Sequence, residues 1–322
     1  MASMTKYIIR RILFMIPVFL GVSIITFGIS NAAGDPIALI RQGLKTAPPQ
    51  VIAALKAYYH VDQPIYVRYL YWLWDILHLN LGMSLSGTSV IDRIGPWVLT
   101  TLELQIPSLL LAVLIGVPLG VYSARHQYSK SDVAVTSFAL FGYSMPTFWL
   151  GLMMIIIFSL YLGWFPSAGA EGITHLWWGS ELGDRLAHLI MPLLVLVYVE
   201  LATFVRLMRG NMLQTLRDDY VLAARACGLK ESTVIYKHAL RNAITPIVTI
   251  VGLSFGSALA GAPGLETTFS WPGLGYEFVV ATYSLDIPMI VGITVVITIM
   301  LMLANLITDL VYGMIDPRVR LD

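Results

Sequence analysis

The side chains able to carry chemistry are few, and their spacing suits none of the usual reactions. Histidine stands at 60, 78, 126, 175, 188 and 238, with no His-x-x-x-His or His-x-His pair of the kind that places two ligands on one metal. Cys227 is the one cysteine, so an intrachain disulfide is excluded. A phosphate-cradling P-loop needs Gly-Lys followed by Ser or Thr, and the chain contains no Gly-Lys dipeptide. No catalytic and no metal-binding residue is assigned, and the chain carries no P-loop motif.

One polar stretch, 218–242, stands out from its surroundings. It reads helix, glycine, helix and carries both charge signs between two apolar windows. Thr215 to Cys227 suits a helix, and Gly228 is free to take the left-handed conformation that ends one. Ser232 can cap the next helix, which runs through His238 into the following apolar window. Ala223, Ala224 and Cys227 share a face by the i, i+3, i+4 spacing, and Ala226 and Gly228 add to the run of small residues. Such a shallow face can enter a groove on another protein or pack on the chain's own helices; the residues alone leave both open.

The elements that must position this stretch are membrane spans. Of 322 residues 57% are hydrophobic and 12% charged, half the charge of an ordinary soluble domain, and the mean hydropathy is +0.76. Net charge is +1, so bulk charge implies no nucleic acid or other polyanion partner. Apolar windows lie at 12–34, 104–124, 133–170, 186–205 (interrupted by Glu200), 242–265 and 287–308. About 20 residues cross a bilayer, so each window predicts one crossing. The 38 residues of 133–170 are too few for two crossings and a turn, and predict one tilted helix of about 30 residues followed by a loop. Lys6, Arg10 and Arg11 ahead of an apolar run resemble a secretory signal, but that run exceeds the 7–15 residues of a signal core; a retained first span is expected. The predicted plan is an all-α membrane protein of six helices: 1–30, about 100–124, 134–163, 186–207, 243–264 and 287–311. Residues 31–99 form an extracytoplasmic segment, 208–242 a cytoplasmic loop and 314–322 a tail.

Fourteen of the twenty Lys and Arg fall in the N-terminus, at 125–130, in 206–241 and in the tail; six fall in the opposite loops. By the positive-inside rule the larger set is cytoplasmic, with both termini. In the outside segment Ile65, Tyr69, Trp72, Leu73, Ile76 and Leu77 share one helical face, which suits a helix in the membrane interface or a small cap over the outer mouth. Pro48-Pro49 and Gln63-Pro64 break that segment into short pieces. Acids in a span are costly. Glu103 and Asp309 lie near span ends, whereas Glu200 must face a structural partner, a substrate or a wet cavity. Three scattered acids make a poor proton relay. Gly116, Pro118 and Gly120, then Gly142 and Pro146, then Gly252, Gly256, Gly261 and Pro263-Gly264 mark close packing or bent backbone.

The stretch Ala223-Ala224-Arg225-Ala226-Cys227-Gly228-Leu229 resembles the cytoplasmic loop of binding-protein-dependent ABC transporter permeases, with Leu222 in place of the acid of that motif. His238-Ala239-Leu240-Arg241-Asn242-Ala243 matches the dipeptide/oligopeptide/nickel branch. So do Gly34-Asp35-Pro36, Asp62-Gln63-Pro64, Leu81-Gly82-Met83-Ser84, Thr101-Leu102-Glu103-Leu104, Tyr143-Ser144-Met145-Pro146, Phe269-Ser270-Trp271-Pro272-Gly273-Leu274-Gly275, Asn305-Leu306-Ile307-Thr308-Asp309-Leu310 and Asp316-Pro317-Arg318. Pro263-Gly264-Leu265 departs from the apolar residues and threonine expected there. The resemblance implies a type I ABC importer permease, the first of two homologous permease subunits, in the cell membrane of a prokaryote. It implies two cytoplasmic ABC ATPases carrying ATP and Mg, an extracytoplasmic binding protein, and no cofactor in this chain. Peptides are the implied cargo, with nickel chelates or oligosaccharides as the alternative; a passive channel or secondary carrier is the rival of another class. Asp219, Tyr220, Ala223, Ala224, Arg225, Gly228, Leu229 and Lys230 are then expected at the ATPase, as a coupling helix, with Arg225 and Lys230 peripheral. Phe269, Trp271, Pro272 and Gly273 are expected at the outer mouth, against the docked binding protein.

Overall fold

The structure, a computed structural model, describes residues 4–32, 60, 62–172 and 177–315. The motifs Gly34-Asp35-Pro36, Pro48-Pro49 and Asp316-Pro317-Arg318 lie outside the described residues, as does most of the tail. The described residues are helical, with one isolated antiparallel bridge, Met83 to Ser89. In chain order the helices are α1 (Met4–Ala32), α2 (Ile65–Leu77), α3 (Val90–Arg125), α4 (Lys130–Ser144), α5 (Thr147–Tyr161), α6 (Glu181–Thr215) and α7 (Asp219–Ala226). They continue with α8 (Glu231–Ala243), α9 (Thr245–Ala258), α10 (Pro263–Thr268), α11 (Leu274–Tyr283) and α12 (Ile287–Ile315).

Among the described residues four helices, α1, α3, α6 and α12, are each long and apolar enough to cross a membrane, and the bent pairs α4/α5 and α8/α9 raise the count to as many as six. The expected single tilted helix at 134–163 is corrected. The chain turns by 103° between α4 and α5. Pro146 cannot donate to the helical ladder and pushes the residue before it into extended backbone, and Met145 has φ −90° and ψ 134°. The pair α8/α9 bends by 48° ahead of Pro246. At its N-terminal end α3 begins at Val90, ten residues before the expected start of its span.

The frame is the long α3–α6 pair. Gly116 and Gly120, one turn apart, let α6 come close: a Cβ there would stand 2.8 Å from Phe204 Cβ and 2.6 Å from Met208 Cβ. This is the small-xxx-small packing by which membrane helices gain dispersion contact that lipid cannot supply. Gly252 and Gly256 do the same for α9 against Thr308 and Asn305 of α12. Gly116, Gly120, Gly252 and Gly256, read as packing or bending signals, therefore serve packing. Three buried clusters result. One runs from α3 and α6 down to α7, α8 and α9, one joins α3 and α6 to α10 and its turn, and one joins α3 to α11 and α12.

Ion pairs close the helix ends. Arg185 Nε donates to Glu103 Oε1 at 2.7 Å, tying α6 to α3. Arg11 reaches Asp309 at 3.0 Å, tying α1 to α12. Asp132 takes Arg209 Nε at 2.7 Å and Nη2 at 2.8 Å, and also accepts from Ser123 and from the Tyr128 amide. That buried carboxylate fastens the turn between α3 and α4 to the end of α6.

Candidate coupling and outer-mouth sites

The polar stretch forms a hairpin of α7 on α8. The expected helix from Thr215 to Cys227 is interrupted: α6 ends at Thr215, and Asp218 in extended backbone starts α7 afresh. Gly228 has φ +74°. Its amide donates to Arg225 O at 2.9 Å and the Leu229 amide to Ala224 O at 3.4 Å, the two bonds of a Schellman stop. The glycine is where the sequence places it, for the expected reason. Ser232 lies inside the first turn of α8, which starts at Glu231 without a side-chain cap, so the expected cap is corrected.

Two cross-ties hold the hairpin. Arg225 donates from Nη2 to Glu231 Oε1 at 2.8 Å and from Nε to Oε2 at 3.2 Å. This guanidinium holds the Glu231 carboxyl below its ordinary range. Asn242 Nδ2 donates to the Tyr220 hydroxyl at 2.7 Å. Arg225, expected at the periphery of a partner contact, thus spends its charge within the hairpin. Ala224 also departs from expectation. It is buried with Val221 in the cluster that holds Met208, Met212, Val234 and Ile235, so it faces this chain. The outward surface is Asp219, Tyr220, Leu222, Ala223, Cys227, Leu229 and Lys230, with Leu222 48% and Leu229 44% exposed. Two half-exposed leucines on an otherwise polar hairpin form a small apolar face with no cover among the described residues.

The segment after α9, the expected outer turn, is a pair of short helices folded back on the bundle. Gly261 (φ +82°) turns the chain, α10 opens on Pro263, Ser270 (φ 48°) turns it again, and α11 follows. The departure Pro263-Gly264 thus begins a helix. Phe269 and Trp271 are buried, Trp271 fully, with its Nε1 donating to Thr100 O at 3.0 Å. Leu274 N donates to Thr101 Oγ1 at 2.8 Å. Gly273 is buried and Pro272 half-buried. Phe269 and Trp271 therefore lie in the protein interior, because an aromatic of this size anchors the turn to α3 and α6, and a binding-protein contact through them is corrected.

Sequence reasoning missed the group at the centre of this turn. Glu266 is fully buried. Its carboxylate accepts the Ala262 amide at 3.0 Å and the Tyr276 amide at 2.9 Å. A Cβ on Gly261, Gly273 or Gly275 would stand 2.8, 2.5 or 3.0 Å from its oxygens. The apolar window ends at Leu265, one residue before Glu266, and no local pattern announces three glycines gathered round one acid. Asp132 was missed likewise, since its partner is 77 residues away. Glu200 lies on α6 with Oε2 buried and without a hydrogen-bond partner among the described residues. No group of three or more metal-ligating side chains occurs among the described residues.

Residues 116–321, which hold the hairpin and the outer turn, match the family described as "Binding-protein-dependent transport system inner membrane component". The chain belongs to this family. Residues 4–88 match its N-terminal companion, "Binding-prot-dependent transport system membrane comp, N-term". Among curated relatives, the "Oligopeptide transport system permease protein AppB" of Bacillus subtilis is 39% identical over 98% of this chain and 99% of its own length. The "Dipeptide transport system permease protein DppB" of Escherichia coli K12 is 37% identical over the same shares. A chain from a structure of inward-facing conformations of the MetNI methionine ABC transporter superposes with a TM-score of 0.55 at 16% identity, covering 70% of this chain and 97% of that one. The fold is thus that of an ABC importer permease, and the protein is a multi-pass inner-membrane permease component.

The quoted motifs sit at the joints of this permease fold. Ser84 donates to Asp286 Oδ2 at 2.5 Å at the start of α12. Thr101 and Glu103 hold the outer turn and α6. Tyr143 to Pro146 make the break, and Asn305, Thr308 and Asp309 face α9 and α1.

Proposed function

We propose that this permease is one of two homologous membrane subunits of an ATP-driven importer of di- and oligopeptides. Its termini and the α7–α8 hairpin are cytoplasmic, and the turn between α9 and α12 lies outside. ATP and Mg belong to two partner ATPases, and an extracytoplasmic binding protein delivers the cargo. The observation that carries this reading is the hairpin itself. It is internally braced by two cross-ties, continuous through α8 with α9, and tipped by an uncovered face of Tyr220, Leu222, Ala223 and Leu229. A rigid braced element transmits displacement, and its apolar tip fits a groove. Closure of the ATPases would then carry α8 and α9 with it and turn the pathway between the two subunits. Peptide cargo is supported by what the relatives' names say of those proteins, AppB and DppB.

The test is reconstitution with the co-purifying ATPases and binding protein. Leu222→Asp should abolish ATP-driven peptide uptake while the subunit still inserts. Gly228→Val should do the same, since a Cβ in left-handed backbone costs about 1–2 kcal/mol and reshapes the tip without meeting a neighbour. Full uptake in both variants would refute the coupling role. Uptake without ATPases would move the protein to another class of transporter.

A further inference from the structure

A recess at the end of α1 is built for a ligand that the permease reading does not use. Phe27 and Asn31 of α1, Arg68, Trp72 and Asp75 of α2, and Pro288 of α12 are among its walls. Its volume is about 100 Å³, several times the 10–15 Å³ that one water needs. Arg68 Nε is buried and makes no hydrogen bond, and no ion pair joins Arg68 to a described residue. A buried guanidinium nitrogen without an acceptor is costly, and an anion beside this half-buried arginine would offset that cost. Asp75 stands seven residues along α2, about 10 Å along the axis, and its carboxylate has no partner among the described residues. Of the other polar lining groups, Asn31 donates to Phe27 O, Asn80 accepts from the Gly82 amide and the His60 ring stacks on Tyr71, while Ser30 adds a hydroxyl to the wall. One cation and one carboxylate, two helical turns apart on α2 and both lining the recess, match a zwitterion with an anionic and an ammonium end.

The location decides which zwitterion. α1 is peripheral: only 11% of its most apolar window is buried, and it packs against α12 and α2. α2 leaves Ile65, Tyr66, Leu70 and Trp74 exposed, the aromatic and aliphatic mix of an interfacial helix. Beside the recess, Ile24, Ile25 and Ile29 of α1 are exposed along the membrane-facing surface. We infer that the recess holds the headgroup of an ethanolamine phospholipid, with the phosphate on Arg68, the ammonium toward Asp75 and the acyl chains along α1.

The full-length permease, purified with the proteins that co-elute with it, would be placed in nanodiscs of phosphatidylethanolamine mixed with phosphatidylglycerol. Retained lipid would then be counted by native mass spectrometry after mild stripping. Wild type should keep one more phosphatidylethanolamine per chain than Arg68→Gln, with affinity weakened at least about tenfold in the variant. Asp75→Asn should keep a phospholipid but lose its preference for ethanolamine over glycerol. Arg68→Lys, which preserves the charge should the glutamine variant fail to insert, should retain the lipid less firmly than wild type. Equal retention in wild type and the Arg68 variants would overturn the assignment. So would release of the retained lipid by millimolar dialanine, which would make the recess a cargo site.

Discussion

At the scale of the residue, two buried side chains set how the outer turn behaves. Trp271 fills the space between α3, α6 and α10 and bonds Thr100 O. Trp271→Ala should lower the stability of the purified protein by about 3–5 kcal/mol, read as an early thermal transition in detergent. A variant that melts with wild type would return the side chain to the surface. Glu266→Gln tests the other. A carboxylate accepts both the Ala262 and Tyr276 amides, whereas an amide side chain must present its NH₂ to one of them. That leaves a buried donor unpaired at a cost of about 1–3 kcal/mol. The loss should appear as faster hydrogen exchange at Ala262 or Tyr276, with exchange in α3 unchanged. Ala224→Trp belongs to the same class, since it overfills the cluster under the hairpin and acts through folding before any partner is met.

At the scale of the element, the chain reads well where one rule decides and poorly where two distant segments meet. The Gly228 stop, the helix at 65–77 and the close-packing glycines of α3 and α9 all follow from local chemistry, and the structure has them. Pro146 is a bending signal in the sequence while the length of the window argues for one rod, and in the structure the proline prevails. For Ala224 the spacing of small residues leaves a partner groove and the chain's own helices both open and the resemblance puts it at the ATPase, whereas its burial depends on Val234 and Ile235 across the turn. Glu266 and Asp132 depend on partners that no spacing reveals. Orientation is checked at this scale too. Gly87, Gly179 and Lys130 are all exposed. In a chain lacking Cys227, cysteines at Gly87 and Gly179 should react with an impermeant thiol reagent in intact cells, and one at Lys130 should not. Labelling at Lys130 would reverse the orientation.

At the scale of the whole molecule, the close contact of α9 with α12 has a mechanical consequence. Gly252 lies directly against Thr308, whose hydroxyl donates to Gly252 O at 3.2 Å, and Gly256 lies against Asn305. Two rods meshed this tightly cannot slide past each other by a fraction of a turn, so they behave as a single lever. The fulcrum is the 48° bend between α8 and α9, and the short arm is the hairpin. Any stroke delivered to the hairpin must swing α12 along with α9, and α1 through its Arg11–Asp309 pin. Gly252→Leu should prise the lever apart: ATP hydrolysis would continue on the partner subunits while peptide uptake falls away, a slipping clutch measured as a raised ratio of ATP consumed to peptide moved.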